Sequence, residues 1–279
     1  MRGSAPIACR LSSPPLSLRR CLLWLVLCFA ASATTVGDVA EGVVIHFSFD
    51  DTEGSIVRNG RANGIVGILE WEAYPGAGLL GDGVVLNQYV DEWSPGKDFV
   101  RVRSDPRVNV EEEFTVAVWI KSFSFGQYRS VMANTDDYGY ALCIDRGRPS
   151  FWIHVDGAYL IRTSSTRLKT DLWYHLALTF DGARATLYVN GEPDVQVAKA
   201  GTITRSRSDF FIGGEPLYEA LDPRWPAFHG ILDEFYFYDR SLPPDDLYRL
   251  FAAAAGHDAV LGSSNARAEV AWREAGAHR

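Results

Sequence analysis

Between Trp173 and Asp194 the sequence WYHLALTFDGARATLYVNGEPD alternates apolar and polar positions with a period of two. Leu176, Leu178 and Phe180 fall on one face of an extended run, Asp181-Gly182 offers a turn, and Ala185, Leu187 and Val189 repeat the alternation. Asn190-Gly191 follows at once. This pair tolerates the positive φ angles of a type I′ turn, so a third strand from Glu192 to Ala198 is expected to fold back on the second. The stretch predicts an antiparallel meander.

The same alternation recurs along the chain. VVIHFSFD after Gly42, GVVLNQYV (Gly83 to Val90) and DFVRVR (Asp98 to Arg103) read as strands, the last two joined across a Pro-Gly turn. FTVAVWIK places Phe114, Val116, Val118 and Ile120 on one face and Thr115, Ala117, Trp119 and Lys121 on the other. Both faces are largely apolar, as a central strand covered on each side requires. RSVMAN, YALCID, SFWIHV, AYLIRT, SRSDFFIGG and GILDEFYFYD follow as further strands, and Pro243-Pro244-Asp245-Asp246 opens a closing helix, LYRLFAAAA. From Asp50 to Gly83 small residues and glycines show no regular period, so a loop-rich region is expected, with Trp71 and Tyr74 exposed beside Pro75-Gly76. Short strands at regular spacing make the chain all-β, an antiparallel two-sheet sandwich with a short C-terminal helix.

Composition adds a compartment and a charge. Residues 1–33 carry four arginines, no acidic residue and the apolar run CLLWLVLCFAASA, and read as a signal peptide cleaved after Ala31-Ser32-Ala33. The run of about twelve apolar residues is shorter than the ~20 a membrane span needs, so no transmembrane anchor is expected after cleavage, and the product is expected to be secreted or extracytoplasmic. Of 27 basic residues, 23 then remain against 35 acidic ones, a net charge of −12. Such a surface disfavours nucleic acid and attracts divalent cations. Only Cys143 lies outside the leader, so no intrachain disulfide is possible; within the alternating YALCID it is expected to be a buried strand residue.

The motifs WYHLALTFDG and LYVNG, with FTVAVWIK upstream and FFIGG, FHGILDEFYFYDRSLPPDDLYRLF downstream, resemble the laminin-G-like, concanavalin A-like lectin-glucanase jelly-roll domains. The resemblance runs over residues 42–253 and leaves a short linker at 34–41 and a polar tail at 254–279. It implies a jelly roll. It also implies a structural Ca²⁺ ion bridging the loop after the first strand and the last long strand, with Asp233 as one ligand, Asp50 or Asp51 as another, and a backbone carbonyl near Asp82-Gly83 completing the shell. A salt bridge or a solvated strand-edge acid is the alternative reading of Asp233.

Two other chemistries are open to such a sandwich. Carbohydrate sites stack sugar C–H groups on exposed aromatic rings beside planar polar groups. Asp222-Pro223-Arg224-Trp225-Pro226 fits that description best, followed by Trp93 beside Asp91 and Glu92, Tyr138 beside Asp136 and Asp137, and Trp71. The competing reading is that loop tryptophans fold over the open ends of the core. Trp119, Trp152 and Trp173 lie in strands and are expected to be core. For catalysis, Glu192-Pro193-Asp194 begins a Glu-x-Asp-x-x-Glu hydrolase pattern, but Val195-Gln196-Val197 follows and the second Glu is missing. His175 reads as a structural hydrogen-bonding residue. The expectation is a non-catalytic binding module for a glycan or extracellular polysaccharide, with an extracellular protein-interaction or adhesion module as the alternative and a glycosidase or polysaccharide lyase third.

Overall fold

In the computed structural model, residues 39, 41–88, 97–126, 128–135, 138–215 and 227–255 are described. The expected signal-peptide stretch at residues 1–33, Trp93, Asp222, Arg224, Trp225 and residues 256–279 lie outside the described residues.

Numbered in chain order, the strands form two antiparallel sheets. The first sheet runs β15 (Glu192–Ala198), β14 (Arg184–Val189), β13 (Trp173–Phe180), β8 (Phe114–Ser122), β17 (Gly230–Tyr238), β6 (Asp82–Leu86) and β5 (Tyr74–Ala77), with β1 (Val43–Phe47) also on β17. The second runs β12 (Ala158–Thr163), β11 (Arg148–Val155), β10 (Gly139–Asp145), β9 (Tyr128–Thr135), β16 (Phe210–Ile212), β7 (Phe99–Val102), β4 (Val66–Glu70), β3 (Ile56–Arg58) and β2 (Thr52–Glu53). This is the expected two-sheet sandwich.

The alternation decides which side chains meet between the sheets. Phe114, Val118, Leu178 and Phe180 from the first sheet and Leu142, Phe151, Ile153 and Phe210 from the second are fully buried in one core. Phe114 stacks on Tyr140 at 4.3 Å between ring centroids, and Phe210 meets Phe237 edge-on at 5.5 Å, so aromatic contacts join the two layers. Each such burial contributes roughly 1.5–3 kcal/mol before the cost of ordering the chain.

The meander forms where the pattern places it. Asn190 and Gly191 have φ angles of 52° and 78°, the two left-handed residues of a type I′ turn. Against this turn packs α1 (Pro244–Ala255), with Asp245 and Asp246 in its first turn. The helix covers the outer face of the first sheet, where Trp119, Trp173 and Phe251 form a second apolar cluster. It runs to Ala255, two residues past the expected end of the domain. Among the described residues no helix is long and apolar enough to cross a membrane.

The region from Asp50 to Gly83 departs from expectation. It holds β2 to β5, strands of two to five residues each, too short to show a period. Their glycines are requirements of close packing: a Cβ at Gly67 would lie 2.7 Å from Val100, and one at Gly76 would lie 2.8 Å from Val85.

Candidate functional site

Strand β17 changes partner halfway. Gly230 to Leu232 pair with β6, whereas Phe235 to Tyr238 pair with β1, and the register on β8 slips between Asp233 and Tyr236. Glu234 has φ 49°, so the strand bulges there and turns both Asp233 and Glu234 away from the core. Glu234 closes the gap to β1, since His46 Nε2 lies 2.8 Å from its Oε2 and Tyr236 donates its hydroxyl to the same oxygen at 2.7 Å. Burial raises the pKa of Glu234, but these two bonds outweigh it and leave the carboxyl below its ordinary value.

Asp233 is fully buried and accepts three backbone amides. Leu79 and Leu80 donate to Oδ2 at 2.7 and 2.9 Å, and Glu234 donates to Oδ1 at 2.7 Å. Burial pushes its pKa up to about 7 while the amides pull it down. From the other side of the same loop, Asp82 donates its N–H to Asp50 Oδ1 at 2.8 Å. The structure therefore gathers Asp233, Asp50 and Gly83 around residues 78–83, with both Asp50 and Asp51 exposed.

The oxygens face amide donors, and among the described residues no three His, Cys, Asp or Glu side chains converge closely enough to hold a metal ion. Asp233 is buried, has no ion-pair partner among the described residues, and clasps a loop through backbone N–H groups.

The outer face of the second sheet offers different chemistry. Because Phe151, Ile153 and Val155 point into the core, Ser150, Trp152 and His154 stand on the opposite face of β11. Trp152 pairs with Ile161 of β12 and His154 with Tyr159. Their rings touch in sequence: Trp152 meets Tyr159 at 5.6 Å, Tyr159 meets His154 at 4.7 Å, and His154 meets Tyr138 at 4.7 Å. Ala133, Ala141 and Cys143 floor the inner end of this track beside Trp152.

Burial divides the track in two. At the inner end Tyr128 donates its hydroxyl to Cys143 Sγ at 2.5 Å, and burial drives both pKa values well above the ordinary range, so the thiol stays protonated. Glu215, also buried, accepts the Thr135 hydroxyl; burial raises its pKa to about 7 and that hydrogen bond lowers it. At the outer end Tyr138 is 44% exposed, Tyr159 47% and Ile161 54%. Between the two tyrosines His154 is buried, with no hydrogen-bond partner for Nδ1 among the described residues. An apolar ledge with hydroxyl groups at its rim is what this edge presents.

Of the aromatic residues proposed for a sugar site, the structure thus places Tyr138 on the ledge and leaves Trp71 exposed elsewhere, at the β4–β5 turn. Trp119, Trp152 and Trp173 are buried as expected, although Trp152 underlies the ledge. His175 is buried against Trp119 and Phe251, its Nδ1 without a partner among the described residues and its pKa lowered to about 3 by burial. Its backbone N–H, not its ring, makes the hydrogen bond at 2.9 Å, to Asn190. Tyr159, His154 and Ile161 escaped the sequence reading because they sit in strands. Their period of two separates Tyr159 and Ile161 from Leu160, but the pattern alone does not say that β12 is an edge.

The family model described as the concanavalin A-like lectin/glucanases superfamily matches residues 94–247, more than half of the chain. Comparison with curated proteins finds no match. Among solved structures, the binding domain of Paraclostridial Mosquitocidal Protein 1 is similar at 15% identity and a TM-score of 0.62, over 78% of this chain and 53% of that one. Domain 4 of AbnA, an extracellular arabinanase of the GH43 family from Geobacillus stearothermophilus, solved with arabinotriose, is similar at 18% identity and a TM-score of 0.60, over 75% of this chain and 97% of that one. The binding domain of botulinum neurotoxin DC, solved with rat synaptotagmin II, is similar at 12% identity and a TM-score of 0.59, over 79% of this chain and 52% of that one. The chain spans about half the length of the two toxin binding domains, and at these identities the likeness is one of fold.

Proposed function

Since the chain belongs to the concanavalin A-like lectin/glucanase superfamily, we propose that it is a secreted, non-catalytic module that binds carbohydrate on the ledge formed by Tyr138, His154, Tyr159 and Ile161. The observation that carries this reading is the pair of half-exposed tyrosines held at fixed spacing on the edges of a buried histidine. Rings anchored in this way lose little freedom when a sugar stacks on them, and their hydroxyls can meet the sugar's own. AbnA domain 4, solved with arabinotriose, is a fold neighbour for which the same class of ligand is on record.

The distribution of perturbed carboxyl groups supports a non-catalytic role. Glycoside hydrolysis needs two carboxyls facing one bond. Asp233 on β17 of the first sheet and Glu215 after β16 of the second, both pushed up to about 7, contact different groups, the Leu79 and Leu80 amides and the Thr135 hydroxyl, and do not form such a pair.

Binding to a panel of neutral and acidic glycans, read by affinity electrophoresis, tests the proposal. Tyr159→Ala should weaken retention at least tenfold with an unchanged melting temperature, since the side chain is half exposed. Retention equal to that of wild type would remove the ledge from the account. The protein-interaction reading rests on a separate observation: β12 is an edge strand with Tyr159 and Ile161 exposed, and no proline or lysine guards it. A wild type that binds no glycan but captures a protein through β12 would favour that reading.

A further inference from the structure

We propose that Trp71 forms a second, independent carbohydrate platform, so that one molecule holds a polysaccharide at two places. This inference rests on the carbohydrate reading above and adds a site to it.

Trp71 is 70% exposed, the most exposed large apolar side chain among the described residues. Its backbone sits at φ 61°, a left-handed conformation that bulky side chains rarely adopt. A tryptophan that served only to cover the core would be turned inward. Here the turn is fixed from below instead, and the ring is held out.

The fixing is done by a buried pair, Asn87 and Asp98. Asp98 accepts the N–H of Glu72, next to Trp71, at 3.0 Å and the N–H of Asn87 at 2.8 Å. Asn87 accepts the N–H groups of Lys97 and Asp98 at 2.7 and 3.0 Å and donates through Nδ2 to the Phe228 carbonyl at 2.7 Å. One network therefore anchors the Trp71 turn and Lys97 together. Lys97 Nζ stands 5.3 Å from the centroid of the Trp71 ring, a cation–π contact that steadies the platform and offers donors to a sugar hydroxyl. Tyr74, partly exposed on the neighbouring strand, donates its hydroxyl to Gln88.

The charges at this rim select the ligand class. Among the described residues at this rim Glu70 is paired with Arg101 and Asp98 is satisfied by amides, and the exposed Glu72 and Lys97 carry opposite charges. A neutral saccharide ring suits such a surface better than an anion or a cation. The two platforms are also well separated. Six strand steps divide β12 from β4, at whose end Trp71 lies, and at ~4.8 Å per step that is roughly 30 Å. A trisaccharide cannot bridge the two, whereas a polysaccharide chain can, and simultaneous engagement raises its apparent affinity by avidity.

The test compares wild type, Trp71→Ala, Tyr159→Ala and the double variant on gels containing immobilised neutral polysaccharides, arabinan among them. Calorimetric titration with the trisaccharide of the retained polymer then counts the sites. The expected result is two trisaccharides per wild-type molecule, one per single variant and none for the double variant. Polymer retention should fall at least tenfold in each single variant, with melting temperatures unchanged. One trisaccharide per wild-type molecule, lost in Tyr159→Ala and untouched in Trp71→Ala, would overturn the second site and leave the first standing. Retention of no polysaccharide by the wild type would overturn both.

Discussion

Asp233 shows how much a single residue can disclose in sequence and what it conceals. A carboxylate in the run Ile231-Leu232-Asp233-Glu234-Phe235 is conspicuous because a buried charge needs partners. Its partners come from residues 79 and 80, more than 150 positions away, and no local pattern encodes them. Asp233→Asn replaces one acceptor oxygen by a donor aimed at amide N–H groups and should cost about 3 kcal/mol, read by denaturant unfolding at neutral pH. Because burial raises the folded-state pKa of Asp233 from 3.8 to about 7, the folded state holds its proton more tightly than the unfolded state. The stability this confers is complete below pH 4 and lost as pH rises through 7. The advantage of wild type over Asp233→Asn should therefore widen as pH falls from 7 to 4, by at most about 1.4 kcal/mol per pH unit. An advantage that shrinks with acid would contradict the assignment.

At the scale of elements, the sequence was most legible where strands are long. The meander of β13, β14 and β15 carries its own turns, Asp181-Gly182 and Asn190-Gly191, and the Asp181 carboxylate accepts the N–H groups of Ala183 and Arg184 at 2.9 and 2.6 Å to close the first. Strands β2 to β5 were illegible because two to five residues cannot establish a period, and their place depends on β6 and β7. The β5–β6 hairpin makes a sharp prediction. A Cβ at Gly78 would lie 2.5 Å from Asp233 Oδ2 and 2.7 Å from the Gly83 nitrogen, so there is no room for a methyl group. Gly78→Ala should destabilise the protein by about 2 kcal/mol in equilibrium unfolding, and a neutral effect would show that the loop does not close on Asp233 as described.

At the scale of the whole molecule, alternation and turn spacing established a two-sheet sandwich, and the family match bears it out. The candidate site was less legible. Tyr138 could be singled out, but Tyr159 and His154 become neighbours only because β11 and β12 pair at one edge of the second sheet, which is a property of topology. The structural Ca²⁺ ion that the family resemblance implies is tested at this scale too: a metal held by Asp233 and Asp50 at the loop of residues 78–83 predicts a higher melting temperature in millimolar Ca²⁺ than in chelator, lost in Asp233→Ala, and an equal melt in both would contradict it.

The central claim is that a carbohydrate stacks on the exposed edge of the second sheet, and chemical-shift mapping with a saturating oligosaccharide tests it most directly. The account predicts perturbations on Tyr138, His154, Tyr159 and Ile161, with a separate set around Trp71 and Lys97 from the second platform and the buried core unchanged. Saturable binding that leaves those four residues unperturbed would contradict it.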